Sequence, residues 1–225
     1  FRSLYTIMKL LPKILFTILL LISWSELSAK MDSLAVSQHP IDTLAVESIP
    51  NNQIWYTASK RIEPRMKSGF GAQYVSNEWN ATTKKGVITF DGDVTTIPEL
   101  AFMMRDFVSM TLPKSVITIG RRSFYICSHL EDVYISYGTT TIEDKAFYSC
   151  LKLANIHIPD SVTTIMAGAF MHTGFSNITI PYSVVAFGSD MFWGCSNLTS
   201  VTLRCNITKI RYHTFYDCIN LKEVT

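Results

Sequence analysis

The chain has 225 residues, 48% of them hydrophobic and 17% charged, which is enough for one sizeable core and too apolar for a disordered chain. Of 20 basic and 18 acidic residues, Arg2, Lys9, Lys13 and Glu26 fall in the first 29, so the remainder carries 17 of each sign. With no basic excess there is no electrostatic footprint for a phosphate backbone, and nucleic acid is not an expected partner.

At the N-terminus, Met8 is followed by Lys9 and Lys13, then by the apolar run Ile14 to Trp24, then by Glu26, Ser28 and Ala29. The run has 11 residues, whereas a bilayer-spanning helix needs about 20. A basic start, a short apolar stretch and small residues behind it predict a secretory signal peptide over residues 1–29, cleaved after Ala29. Translation is expected to begin at Met8, with residues 1–7 an artefact or the edge of a fragment. No membrane span is expected in the mature chain. The first cysteine is Cys127, too far from the apolar run to take a lipid there.

Residues 30–53 are polar, contain the echoing phrases SLAV and TLAV, and are expected to form a linker. Residues 54–86 carry Trp55, Tyr56, Phe70, Tyr74 and Trp79 without any regular period. A few short strands capping whatever follows are expected there, because an open repeat end would expose core side chains and strand edges.

From residue 87 onward the sequence repeats. Phe102, Phe124, Phe147, Phe170, Phe192 and Phe215 are separated by 22, 23, 23, 22 and 23 residues. Five positions before each lie Ile97, Ile119, Ile142, Ile165, Phe187 and Ile210; eight before lie Val94, Val116, Thr139, Val162, Val184 and Ile207. Twelve and fourteen before each come Phe90, Leu112, Ile135, Ile158, Ile180 and Leu203, and Ile88, Met110, Val133, Ile156, Ile178 and Val201. Alternation of these last two columns with polar residues has the period of a strand buried on one face, such as Val133 to Ile135 or Ile156 to Ile158. One such unit has too few apolar side chains to bury alone, so the units must stack and shield one another. The expected core is the phenylalanine column with Ile119, Ile142, Ile165 and Ile210. The chain stops at Thr225, midway through a seventh strand, and is expected to be truncated there.

The phrase LANIHIPDSVTTIMAGAF, from Leu153 to Phe170, and its echoes from Leu130 and Leu198 resemble the BspA-like leucine-rich repeat of bacterial surface proteins. The resemblance covers about residues 86–225 and implies a β-rich repeat solenoid of short parallel strands, with six coils and a partial seventh. The Asn or Cys that usually follows the strand in leucine-rich repeats is missing. Cysteine instead lies three residues after the Phe, as in Cys127, Cys150, Cys195 and Cys218, and each GxxAF-type segment is expected to form a single helical turn.

Cys127 with Cys150, and Cys195 with Cys218, occupy equivalent positions in adjacent coils, where a spacing of roughly 5 Å permits either disulfides or a column of small buried thiols. Cys205 is expected to be a free thiol. His157, Asp160 and Ser161 bring together the residue types of a hydrolytic triad, but Asp160 and Ser161 belong to the repeat's turn and no nucleophile elbow or separate orienter accompanies them. No CxxC or HExxH occurs, so no metal, cofactor or catalytic residue is assigned, and the chain is not expected to be an enzyme.

Between the two buried residues of each strand stand Thr89, Thr111, Tyr134, His157, Thr179 and Thr202. A threonine ladder suits any solvated sheet. Tyr134 and His157 depart from it, and with Glu131, Asp132 and Asn155 beside them they form the candidate ligand-binding group on the concave face. The expected function is a secreted or cell-surface module recognising protein or glycan, with the adhesion and host contact that the resemblance implies. The alternatives are a spacer presenting a missing C-terminal domain and the non-catalytic part of a larger extracellular enzyme.

Overall fold

A computed structural model describes residues 49–205 and 207–225; the expected signal peptide, residues 1–29, and residues 30–48 of the expected linker lie outside the described residues. The packed region already includes residues before the expected boundary at residue 54. Ile49 is buried, and the backbone carbonyl of Asn51 accepts from Val94 N–H at 2.9 Å and from Ser115 Oγ at 3.1 Å. Residues 49–53 are therefore packed on the first coil instead of belonging to a linker.

Three antiparallel strands open the fold: β1 (Gln53–Ala58), β2 (Tyr74–Asn80) and β3 (Lys85–Phe90). The following coils add strands to two parallel stacks, most coils giving one strand to each. One stack contains β5 (Phe107–Thr111), β7 (Asp132–Tyr134), β9 (Asn155–His157), β11 (Asn177–Ile180), β13 (Ser200–Leu203) and β14 (Glu223–Val224). The other contains β4 (Thr96–Ile97), β6 (Thr118–Ile119), β8 (Thr141–Ile142), β10 (Thr164–Ile165) and β12 (Ala186–Phe187). The second stack is one continuous sheet in which Ile97, Ile119, Ile142, Ile165 and Phe187 are register partners. β7 and β9 each start one residue earlier than the alternation predicts, while Ile135 and Ile158 remain buried just beyond them.

The first stack is interrupted twice. β1 lies between β3 and β5 and pairs antiparallel with both, so the strand carrying Ile88 and Phe90 does not touch the strand carrying Met110. The sheet β2-β3-β1-β5-β7-β9 then ends on β9, and β11-β13-β14 forms a separate three-stranded sheet. Across that second break the β10–β12 pairing, turn hydrogen bonds such as Gly168 N–H to Ser189 O at 2.8 Å, and the phenylalanine column hold the coils together.

Ring centroids along Phe102, Phe124, Phe147, Phe170, Phe192 and Phe215 are 5.3, 5.0, 5.8, 6.1 and 5.8 Å apart, and from Phe124 onward every pair lies within 16° of parallel. Phe70 extends the column into the cap, 6.0 Å from Phe102 and 4.7 Å from Phe90. The first five members of the column are fully buried, and burying a side chain of this size contributes about 1.5 to 3 kcal/mol. Thr139, the polar break in an apolar column, is fully buried and donates through Oγ1 to the Val116 carbonyl at 3.0 Å. Its hydroxyl is thus satisfied inside the core.

Ile210 departs from the expected core, with 52% of its surface exposed. Among the described residues the second stack ends at β12, so Ile210 has no paired strand around it. Phe215 in the same coil still stacks on Phe192 but is only partly buried.

The GxxAF-type segments contain no helix among the described residues. They are successive turns closed by i to i−3 hydrogen bonds, as in Ala101 N–H to Pro98 O, Met103 N–H to Leu100 O and Arg105 N–H to Phe102 O, all at 3.1 to 3.2 Å. The residues two before and two after each Phe are left-handed, including Arg122 and Ile126, Lys145 and Ser149, and Asp190 and Gly194, with φ between 53° and 70°. This alternation points every second N–H at the next coil: Arg122, Phe124 and Ile126 donate to the carbonyls of Asp144, Ala146 and Tyr148 at 2.8 to 3.0 Å. The turns therefore form a third intercoil ladder, which a helix, bonding within itself, could not supply.

Candidate functional site

The proposed outward column of Thr89, Thr111, Tyr134, His157, Thr179 and Thr202 does not exist as one row. Thr89 pairs with Gln53 on the far side of β1, and Thr179 pairs with Thr202 in the separate sheet. What remains is Thr111, Tyr134 and His157 in direct register, and next to Thr111 stands Trp55 of β1. The outward row is thus Trp55, Thr111, Tyr134 and His157. At a strand spacing of roughly 4.8 Å it spans about 14 Å.

The sequence search missed Trp55, because the residue belongs to a segment without the repeat period. Its ring is 36% exposed, and the indole Nε1–H donates to Gln53 Oε1 at 2.8 Å, which fixes the ring's orientation. Tyr137, also missed, is 49% exposed and meets the His157 ring edge-on, with centroids 6.3 Å apart and planes at 64°. It lies three residues past Tyr134, beyond the strand, where alternation gives no signal.

Two residues along the strands runs a polar row of Thr57, Ser109, Asp132 and Asn155. Thr57 and Ser109 share a hydroxyl hydrogen bond of 2.7 Å. Glu131 sits at the head of this row, its carboxylate 3.7 Å from Lys152 Nζ with both side chains about half exposed. Such a pair contributes little to stability and leaves the carboxylate accessible to a ligand. The structure therefore gathers Asp132, Tyr134, Asn155 and His157 on β7 and β9, with Glu131 immediately before β7, and adds Trp55 and Tyr137.

The triad-like residues are not a triad. Ser161 Oγ donates to the Thr139 carbonyl at 2.7 Å, and Ser115 and Ser183 do the same to Val94 and Val162 at 2.8 and 2.6 Å. Ser161 thus belongs to a structural series linking coils. All five cysteines are free. Cys127, Cys150, Cys195 and Cys218 point their Sγ at the carbonyls of Phe102, Phe124, Phe170 and Phe192, one coil back, at 3.0 to 3.1 Å. Burial pushes the Cys218 thiol up to about 11 and raises Cys150, Cys195 and Cys205 as well, the Cys127 thiol adding to the effect on Cys150. Protonated thiols of this kind are donors in a core and poor nucleophiles. Among the described residues no three His, Cys, Asp or Glu side chains are grouped to hold a metal ion, and no helix is long and apolar enough to cross a membrane.

The sequence profile of the BspA type leucine rich repeat region matches residues 95–222 in six copies. The chain belongs to the BspA-type leucine-rich-repeat family. Among solved structures, this BspA-type chain is similar to the leucine-rich-repeat protein of T. pallidum, at 31% identity over 60% of this chain and 65% of that one, with a TM-score of 0.58. It is also similar to a leucine-rich-repeat protein from Bacteroides ovatus, at 28% identity over 59% of this chain and 41% of that one, with a TM-score of 0.51. The chain thus spans less than two thirds of the length of either relative. No curated protein matches the sequence.

Proposed function

We propose that this BspA-type repeat protein is an exported recognition module that binds a protein or glycan on the outer face of its six-stranded sheet. The observation that carries the reading is the row Trp55, Thr111, Tyr134 and His157, which puts three rings across four adjacent strands. Strands held by intercoil ladders and by the phenylalanine column keep these rings in place before any ligand arrives, so little ordering cost accompanies binding. Broad amphipathic rings are the side chains that dominate binding energy at recognition surfaces. The polar row of Thr57, Ser109, Asp132 and Asn155 supplies hydrogen-bonding groups along one side. Export is supported by Lys9 and Lys13 ahead of the short apolar run Ile14 to Trp24.

The test is a comparison of the full chain with a Trp55→Ala, Tyr134→Ala, His157→Ala triple variant on a glycan array and against purified extracellular proteins. A ligand bound by the full chain and lost by a triple variant with an unaltered melting curve supports the reading. Retention of every ligand by the folded variant would remove this face from the function.

A further inference from the structure

At the N-terminal end of the sheet the register pair Ala58 and Phe107 brings the segment after β1 against the turn before β5. Between them lies a cleft of about 190 Å³ whose walls include Lys60, Arg61, Glu63, Met104, Arg105 and Asp106. It is separated from the Trp55 row by four residues of β5, about 13 Å along the strand.

Arg105 is the third residue after Phe102. In the later coils that position is Cys127, Cys150, Thr173, Cys195 and Cys218. The cysteine thiols donate to a Phe carbonyl of the coil before, and Thr173 donates to the Phe170 carbonyl of its own coil. In the first coil the column holds a guanidinium instead, and its Nε–H is shielded from solvent with no acceptor. An unmet buried donor costs stability, and it marks Arg105 as the exception in a column whose other members all have acceptors.

The nearby carboxylates are already engaged. Glu63 is held by Arg61 at 2.8 Å, by Lys67 at 3.7 Å and by the Tyr74 hydroxyl at 2.7 Å. Burial acts to raise its carboxyl, but the Tyr74 hydrogen bond and the charges of Arg61 and Lys67 outweigh that and leave it below the usual range. Asp106 Oδ1 is 3.2 Å from His129 Nδ1. Lys60 and Arg105 therefore face the cleft without an ion-pair partner among the described residues.

We propose that this cleft binds the carboxylate of a hexuronic acid unit in an acidic polysaccharide. Lys60 and Arg105 supply the uncompensated positive charge for the carboxylate, Arg105 through a planar fork suited to two oxygens. Glu63 and Asp106 retain acceptor lone pairs that suit sugar hydroxyls, groups that a glutamate or aspartate side chain does not offer. Met104, 49% exposed, offers an apolar contact for the C–H face of a pyranose ring. This combination of cation, hydroxyl acceptors and apolar contact fits a uronic acid better than an aspartate or glutamate side chain, which needs the cation alone.

The experiment is calorimetric titration of the full chain with tri-galacturonate, with its fully methyl-esterified form and with a hexaglutamate peptide. The expected result is binding of tri-galacturonate at least tenfold tighter than of either other probe, weakening as salt is raised. Lys60→Gln and Arg105→Gln should each weaken it tenfold or more, Arg105→Lys should retain part of it, and Lys209→Gln on a distant coil should leave it unchanged. Melting curves verify folding; if Arg105→Gln does not fold, the exposed Lys60→Gln variant decides. Equal affinity for the ester, or no effect of Lys60→Gln, would overturn the proposal. Tighter binding of hexaglutamate would overturn the glycan assignment. The Trp55, Tyr134, His157 triple variant should bind tri-galacturonate normally, so failure of this cleft and failure of the ring row are separable.

Discussion

Phe124 and Phe147 stack with centroids 5.0 Å apart and planes 6° from parallel, the closest match of any adjacent pair in the column. Both are completely buried, and each is sandwiched between a ring before and a ring after. Phe147→Ala removes contacts to both neighbours and leaves a cavity that stacked coils cannot close without breaking register. The expected loss is about 3 to 5 kcal/mol, measured by denaturant unfolding. An unchanged transition midpoint would mean that the column does not hold the coils together. Phe215→Ala, at a ring that is only partly buried, should cost less.

The left-handed turn residues are a store of strain that can be relieved. Ser149, with φ of 55°, has a side chain with no hydrogen bond among the described residues, so replacing it loses little. A non-glycine residue in this region costs roughly 1 to 2 kcal/mol, offset by roughly 0.5 to 1 kcal/mol of extra freedom that glycine gives the unfolded chain. Ser149→Gly should therefore raise the melting temperature by a few degrees, and Ser149→Val should lower it. Ile126→Gly should gain less, since Ile126 is partly buried and its side-chain contacts are lost with it.

Alkaline pH should weaken the fold through the thiols. In the unfolded chain a cysteine titrates near pH 8.5, whereas Cys218 in the fold holds its proton up to about 11. Between those values the folded state binds more protons than the unfolded state, so stability falls as pH rises. Melting temperatures recorded from pH 8 to 11 should decline, and Cys218→Ala should decline less steeply over that range. Native alkylation at pH 8 should be slow at Cys150, which is fully buried and whose thiol is pushed up by that burial.

The ring row makes a prediction that depends on β1. Trp55→Ala alone should weaken ligand binding about as much as Tyr134→Ala, although the two residues are 79 positions apart in sequence and lie on strands of opposite direction. Binding by immobilised ligand, with the melting curve as control, measures it. Normal affinity of Trp55→Ala would confine the surface to β7 and β9.

The repeat was legible because every coil presents its side chains to the same surroundings, so the same requirement recurs at Phe124, Phe147 and Phe170. The insertion of β1 was not. The alternation over Gln53–Ala58 marks a strand, but nothing in one strand's alternation names its partners or their direction. For the same reason Thr89 looked like a neighbour of Thr111. The end of the sheet at β9 also left no mark, since the apolar columns continue through Ile178 and Ile180. Tyr134 and His157 were found because they interrupt a threonine pattern, and Glu131, Asp132 and Asn155 because they stand beside those two. Trp55 could have been found only by knowing where β1 goes. Arg105 was visible as a misfit in the cysteine column, but its meaning depends on Lys60 and Glu63, which belong to the segment without period.

The placement of β1 also orders assembly in time. Its two edges bond to Lys85–Phe90 and to Phe107–Thr111, so the first ladder can close early but the second must wait until the chain through Thr111 is available. Later coils need only the one before them. The first strand of the described residues must wait for partners 28 to 56 residues downstream, and it then closes like a clasp over the start of the stack.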